Sequence, residues 1–191
     1  MDALACIELS SIAKGMRLLD IIAKRAPVIL KHYGRHSGPK FIILFAGDVA
    51  SVESSYEEAL AESRGALISS MQLSVVSDGL WELLDGKVSP PQDDAILFVE
   101  LPSVADTILQ LDYALKLIDA LIVDAQFASG IGGRGYFAIQ GSLADIEYCA
   151  ESLHLRLEEH EKIAIEIVAR PHADLFGALG HHPVFNAHWS S

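Results

Sequence analysis

Cysteine is nearly absent: Cys6 and Cys149 are the only two in 191 residues. A disulfide framework and a paired-cysteine metal motif are thereby excluded, and buried free thiols are the expected state of both. Aromatic residues make up 7% against an apolar content of 51%, which predicts a mostly aliphatic core. Basic residues are scarce as well. The chain has 14 Lys and Arg against 26 Asp and Glu, a formal charge of −12 that disfavours nucleic acid and anionic membranes as partners. No run of about 20 uncharged apolar residues occurs, so no bilayer-spanning helix is predicted. The start of the chain carries Asp2 and Glu8 and no basic n-region; no signal peptide is expected, and the protein reads as cytoplasmic. Neither a P-loop nor a G-x-S-x-G elbow is present.

What the chain does have is a small-residue loop that occurs twice. Gly34-Arg35-His36-Ser37-Gly38-Pro39-Lys40 lies between strand-like runs at 28–33 and 41–46, and Ser129-Gly130-Ile131-Gly132-Gly133-Arg134-Gly135 lies between runs at 121–127 and 136–140. Glycine permits backbone conformations closed to other residues, so such loops can bring backbone and short polar groups close to an axis or a ligand. Gly130, Gly132 and Gly135 also satisfy G-x-G-x-x-G. That fingerprint needs a helix after the glycines, and Tyr136 to Ile139 continue as a strand, so no dinucleotide is expected.

Residues 4–9 read as a strand. Ser10 or Ser11 caps a helix over 12–25, with Met16, Leu19, Ile22 and Ala23 on one face, and Pro27 ends it. Gly47-Asp48 turns the chain into a helix over 49–63; 67–76 is strand-like, 80–84 with Trp81 is a short helix, and 85–94 with Pro90 and Pro91 is a linker. Then the order recurs. Glu8-Leu9-Ser10-Ser11 returns as Glu100-Leu101-Pro102-Ser103 and Lys24 as Lys116, a shift of 92. Gly47-Asp48 returns as Gly141-Ser142, a shift of 94, so the second loop region is two residues longer. Ser103 with Asp106, and Ser142 with Asp145, fit the capping-box pattern at two helix starts. Ile146, Ala150, Leu153 and Leu157 line one face of the second of these helices, followed by a strand over 162–169 and a short helix over 173–179.

Two copies of one strand–helix–strand–strand–helix–strand–helix unit follow, an α+β fold with domains at 1–88 and 89–180 and a tail at 181–191. A unit of roughly 85–90 residues has a small core and gains by burying one face against something else. Surfaces that bind head-to-tail usually close into rings. Three duplicated chains would give six near-equivalent units with the paired loops at the centre.

Specific residues carry a resemblance. Glu8 to Met16 (ELSSIAKGM), Gly130-Ile131-Gly132-Gly133 and Arg170-Pro171-His172 resemble the tandem-domain trimeric shell proteins of bacterial microcompartments. The type most similar is that of propanediol-utilisation compartments whose pore carries an iron–sulphur cluster. The likeness covers about residues 3–179, with the motifs in the same order. It implies two bacterial microcompartment shell domains, each a ferredoxin-like βαββαβ-type sheet with helices on one side. It further implies a structural subunit without enzymatic activity, a homotrimer imitating a hexagonal tile, other shell proteins packed edge to edge, and a central pore for small metabolites. The pore lining falls on Arg35, His36, Ser37, Gly38, Ser129, Gly130, Ile131 and Gly132. Matched by motif, Lys24 and Lys116 fall on the tile-edge lysine and Arg170 on the edge arginine; the first half shows Val75-Val76-Ser77 in place of Arg-Pro-His. The cluster ligand in that type is a cysteine in the first loop, where this chain has Ser37. A hydroxyl is a poor substitute for a thiolate at iron, so no iron–sulphur cluster is expected.

Three further expectations concern chemistry. Three copies of His36 meeting near an axis have the donors to hold zinc or another borderline metal; the favoured reading is a solvent-exposed pore histidine whose charge follows pH. Arg35 beside it makes the mouth locally positive and favours anionic metabolites. In the tail, Phe185 and Trp189 are suited to anchor packing on a neighbouring subunit, whereas His181, His182 and His188 lack a rigid framework for a metal. The rival function is a ferredoxin-like small-molecule sensor or enzyme, with a pocket between the repeats that uses Glu100 or Asp124.

Overall fold

Every residue of the first strand, Ala3–Leu9, is buried, and so is every residue of Lys40–Gly47. A strand loses all its exposure only when both faces of its sheet are covered. In the computed structural model, which describes residues 2–92, 94–158, 162–180 and 184–185, that is what the duplication achieves. The first repeat runs β1 (Ala3–Leu9), α1 (Ile12–Arg25), β2 (Ile29–His36), β3 (Lys40–Gly47), α2 (Val49–Glu62), β4 (Leu67–Leu73) and α3 (Asp78–Leu84). The second runs β5 (Ala95–Leu101), α4 (Val104–Leu117), β6 (Leu121–Phe127), β7 (Gly135–Gly141), α5 (Leu143–Arg156), β8 (Ala164–Val168) and α6 (Ala173–Phe176). Each repeat forms its own antiparallel four-stranded sheet, in the orders β2-β3-β1-β4 and β6-β7-β5-β8.

The helix starts follow the capping residues. Ser11 and Asp48 accept from the backbone N–H of Lys14 and Ser51. Ser103 and Ser142 accept from Asp106 and Asp145, whose carboxylates in turn take the serine hydroxyls. One face of the first sheet (Ala3, Ala5, Ile7, Phe41, Ile43, Phe45) packs on Leu18 and Ile22 of α1 and Val52 and Ala59 of α2. The opposite face (Leu4, Cys6, Ile42, Leu44) joins the core of the second repeat through Val104, Ala105, Ile108 and Leu111 of α4. The repeats therefore sit head-to-tail, the first helix of one unit on the open sheet face of the other. Both cysteines are free and buried, and desolvation pushes both thiols up.

Two local expectations are corrected. Met16 is 60% exposed and Ala23 is exposed; α1 turns Gly15, Leu18 and Ile22 to the core instead. The helix is set by Gly15, which lies against the Phe41 ring so closely that a Cβ there would sit 2.3 Å from the ring carbons. The second repeat solves the same contact in reverse. Gly135 lies against Thr107, its own absent Cβ 2.0 Å from the Thr107 hydroxyl oxygen, and these two positions are the counterparts of Phe41 and Gly15. The first loop is also tighter than its composition suggests. β2 runs through Gly34, Arg35 and His36, which pair with Ile42, Phe41 and Lys40, so the turn is only Ser37-Gly38-Pro39.

Candidate functional site

The two glycine loops meet inside one chain. Gly38 has φ +80°, and its missing Cβ would lie 3.1 Å from the Gly132 carbonyl oxygen. Gly133, at φ +79°, comes still closer: a Cβ would be 2.5 Å from the Ser37 carbonyl oxygen. Backbone packs directly on backbone here, and both positions need glycine for space as well as dihedral. The second loop is closed by Ala128 N–H donating to the Arg134 carbonyl and Gly133 N–H to the Ala128 carbonyl, with Ala128 itself left-handed at φ 62°. Gln126 supports it through a 2.7 Å bond from Nε2 to the Ser129 carbonyl. Arg35, Ser37, Gly38, Gly130 and Gly132 are exposed on this surface; Ser129 and Ile131 are half-buried.

His36 does not stand free. Its Nε2 lies 2.8 Å from His32 Nε2 and its Nδ1 lies 2.9 Å from Ser129 Oγ, so it is a half-buried bridge from β2 to the second loop. This corrects the expectation of a solvent-exposed pore histidine, because strand β2 continues past Gly34 and turns the ring inward. Phe185 stacks on His32 with ring centroids 3.8 Å apart and meets Phe127 edge-on, while the Val184 carbonyl accepts from Phe127 N–H. This part of the tail packs on its own chain. Trp189, His181, His182 and His188 lie outside the described residues. Burial lowers the His32 pKa to about 3, with His36 adding to the effect, and burial lowers His36 as well. The sequence held a signal for His32 that went unread: an even spacing on a strand puts it on the same face as His36.

Beside the loops runs the seam between the repeats. Lys40 Nζ donates to Glu8 Oε2 at 3.1 Å, to the Gly133 carbonyl at 2.6 Å and to the Pro102 carbonyl at 3.0 Å. Glu8 has no exposed surface, and its Oε1 accepts from the Ala105 backbone N–H at the start of α4 at 2.6 Å. Burial raises the Glu8 carboxyl above its ordinary range; Lys40 and the Ala105 N–H oppose that shift. Sequence reading named Glu8 and Lys40 as landmarks and missed this role, since nothing local marks a residue that pairs across repeats.

The same two positions in the second repeat are Glu100 and Arg134, by shifts of 92 and 94, and they pair at 3.3 Å on an open surface. Arg134 also donates to the Lys162 carbonyl, while its Nε is buried without an acceptor in the described residues. Glu100 and Asp124, proposed above for a pocket between the repeats, line a recess of about 330 Å³ with Tyr136, Arg134 and Ile131, entirely within the second repeat. A smaller recess of about 100 Å³ does lie between α3, the linker and β6, and contains neither carboxylate.

Of the edge candidates, Lys116 donates to the Val75 carbonyl of the first repeat at 2.5 Å and to Asp112, which also accepts from Ser77 N–H. Lys24, its counterpart, is exposed and pairs only with Asp20 among the ion pairs described. Arg170 is exposed.

Comparison with known proteins agrees with this architecture. Residues 3–77 match the BMC domain model. The chain is 27% identical over 176 residues to the bacterial microcompartment shell protein PduT of Citrobacter freundii, covering 92% of this chain and 96% of that protein. Its fold matches the crystal structure of a microcompartments protein from Desulfitobacterium hafniense DCB with a TM-score of 0.79 at 24% identity, over 92% of this chain and 98% of that one. With its first repeat matched to the BMC domain and its second built on the same plan, the chain is similar over nearly its whole length to a shell protein of bacterial microcompartments.

Proposed function

We propose that three copies of this chain close into a pseudohexagonal tile of a microcompartment shell, with the two glycine loops lining a central passage for small solutes. One observation carries the reading. In α4, Val104, Ala105, Ile108 and Asp112 are buried by the first repeat, while their counterparts in α1 (Ile12, Ala13, Met16 and Asp20) are exposed. An apolar stripe left open on one repeat and seated on the other is a head-to-tail surface with one end unmatched. The second repeat offers the matching seat. Its open recess beside Glu100 and Arg134 corresponds to the place where Glu8 and Lys40 receive α4. Repeating that contact between chains would let Glu100 accept from Ala13 N–H of the partner subunit and give the buried Arg134 Nε a carbonyl. The recess is then a subunit seat, and its carboxylates are structural rather than catalytic.

The tile would meet other shell proteins through Lys24, Lys116 and Arg170, with Arg35 favouring anions at the mouth. No iron–sulphur cluster belongs in this proposal. Ser37 supplies no thiolate, and Cys6 and Cys149 are buried in β1 and α5.

Sedimentation of the purified chain tests the ring: the expected species has three times the 20.7 kDa chain mass, and Met16→Glu shifts it to monomer. A wild-type chain that stays monomeric at every concentration overturns the reading. Electron microscopy of concentrated protein should show sheets or tubes that Lys24→Ala or Lys116→Ala disrupts, and Arg35→Ala should lower permeability to anions.

A further inference from the structure

His32 and His36 form a site that the shell role does not use. We infer that the two imidazoles are a bidentate site for a borderline divalent metal ion of the zinc, nickel or copper class, held by His32 Nε2 and His36 Nε2 and steadied by Ser129. The two nitrogens converge to 2.8 Å from positions four residues apart on one face of β2. Nitrogens sharing a tetrahedral zinc at about 2.0–2.1 Å lie about 3.3 Å apart, so loading the site asks the rings to part by about half an ångström. Imidazole is the donor these ions favour.

The surroundings fit a ligand pair. A metal-bound histidine usually donates its other ring N–H to an oxygen that fixes ring and tautomer. His36 Nδ1 is 2.9 Å from Ser129 Oγ, in position to do so. Phe185 stacks on His32 and holds that ring. Metal binds the neutral ring, and burial lowers the pKa of both. As a hydrogen bond the pair needs one Nε2–H and one bare Nε2, so taking up a metal requires only a tautomer change. Among the described residues no group of three or more His, Cys, Asp or Glu converges to hold a metal, which leaves water to complete the shell. The second repeat has Asp124 and Ala128 at these two positions, so the pair occurs in the first repeat alone. A bound ion would tie the end of β2 to the second loop and place positive charge beside the passage.

The test uses Zn²⁺ and the full chain with His181, His182 and His188 changed to Asn, so that the tail contributes no ligand. Calorimetric titration should show a single Zn²⁺ per chain. Affinity should fall at least tenfold in His32→Asn or His36→Asn, and about tenfold in Ser129→Ala. Because His32→Asn also removes the stack on Phe185, imidazole ¹⁵N spectra of the chain with both rings intact provide the second readout. Zn²⁺ should move the His32 and His36 Nε2 signals and leave His154 and His172 in place. Zn²⁺ uptake that persists undiminished in the His32→Asn/His36→Asn double variant, or no uptake at all, overturns the inference, as does a spectrum in which those two signals do not move.

Discussion

The two ends of the molecule carry the same acidic–basic pair in different surroundings. At Glu8 and Lys40 the pair is sealed beneath α4, with two carbonyls and a helix N–H completing its bonds. At Glu100 and Arg134 it faces solvent, and one guanidinium nitrogen has no acceptor among the described residues. The linker lets one contact form within the chain, and in the proposed ring its counterpart would be made by another molecule. The difference teaches that a duplicated fold reveals its missing neighbour. Whatever one repeat buries and the other exposes is, under the proposed ring, the surface for a partner.

The largest effect expected from breaking that symmetry is at Lys40. Lys40→Met strands Glu8 in the seam and should cost about 3–5 kcal/mol in chemical denaturation near neutral pH. Arg134→Met, measured in dilute single chains, should cost within about 1 kcal/mol because its pair is exposed and screened. Equal losses would show that the two seams are alike after all. The first penalty should also shrink in acid, where the buried Glu8 carboxyl takes up a proton in place of its lost partner.

Next in size is the exchanged glycine contact. Gly135→Ala drives a methyl into Thr107 and should cost about 1–3 kcal/mol. Adding Thr107→Gly, which recreates the glycine that the first repeat has on its helix, should make the double variant less damaged than the sum of the two singles. Strict additivity in thermal or urea unfolding would remove the claim that the two repeats solve one packing problem in opposite ways.

A further test concerns the histidine bridge, which the second repeat lacks. Unfolded imidazoles take up protons below about pH 6.5, whereas folded His32 does so only near pH 3. Across that window the unfolded state binds more protons, so stability should fall as the pH drops through it. Urea midpoints measured between pH 7 and 4 should show the decline, and His32→Asn should flatten it. A wild-type midpoint independent of pH over that range would mean the rings are not held neutral.

Much of the fold was legible because its signals are local. Ser11, Asp48, Ser103 and Ser142 mark helix starts by bonds to residues three places on, and the order of elements recurs at a nearly fixed shift. The candidate site was legible only in part. Glycine loops announced themselves by composition, and the structure brings Gly38 and Gly133 against the opposite loop's backbone. Glycine at 34 was read as loop although it lies in a strand, since its lack of a side chain fits either state.

By itself, then, the chain's order of residues determined the duplication, the two antiparallel sheets, the caps and the pair of glycine loops. Helical and strand periods and short-range hydrogen bonds act over a few residues, and a linear pattern records them. Tertiary structure alone decided that Met16 faces outward, that Lys40 seals Glu8 and that His36 meets His32 and Ser129. Those outcomes depend on which surface of one repeat comes to rest on the other. That choice is made by burial and desolvation between residues far apart in the chain, and no local pattern encodes it.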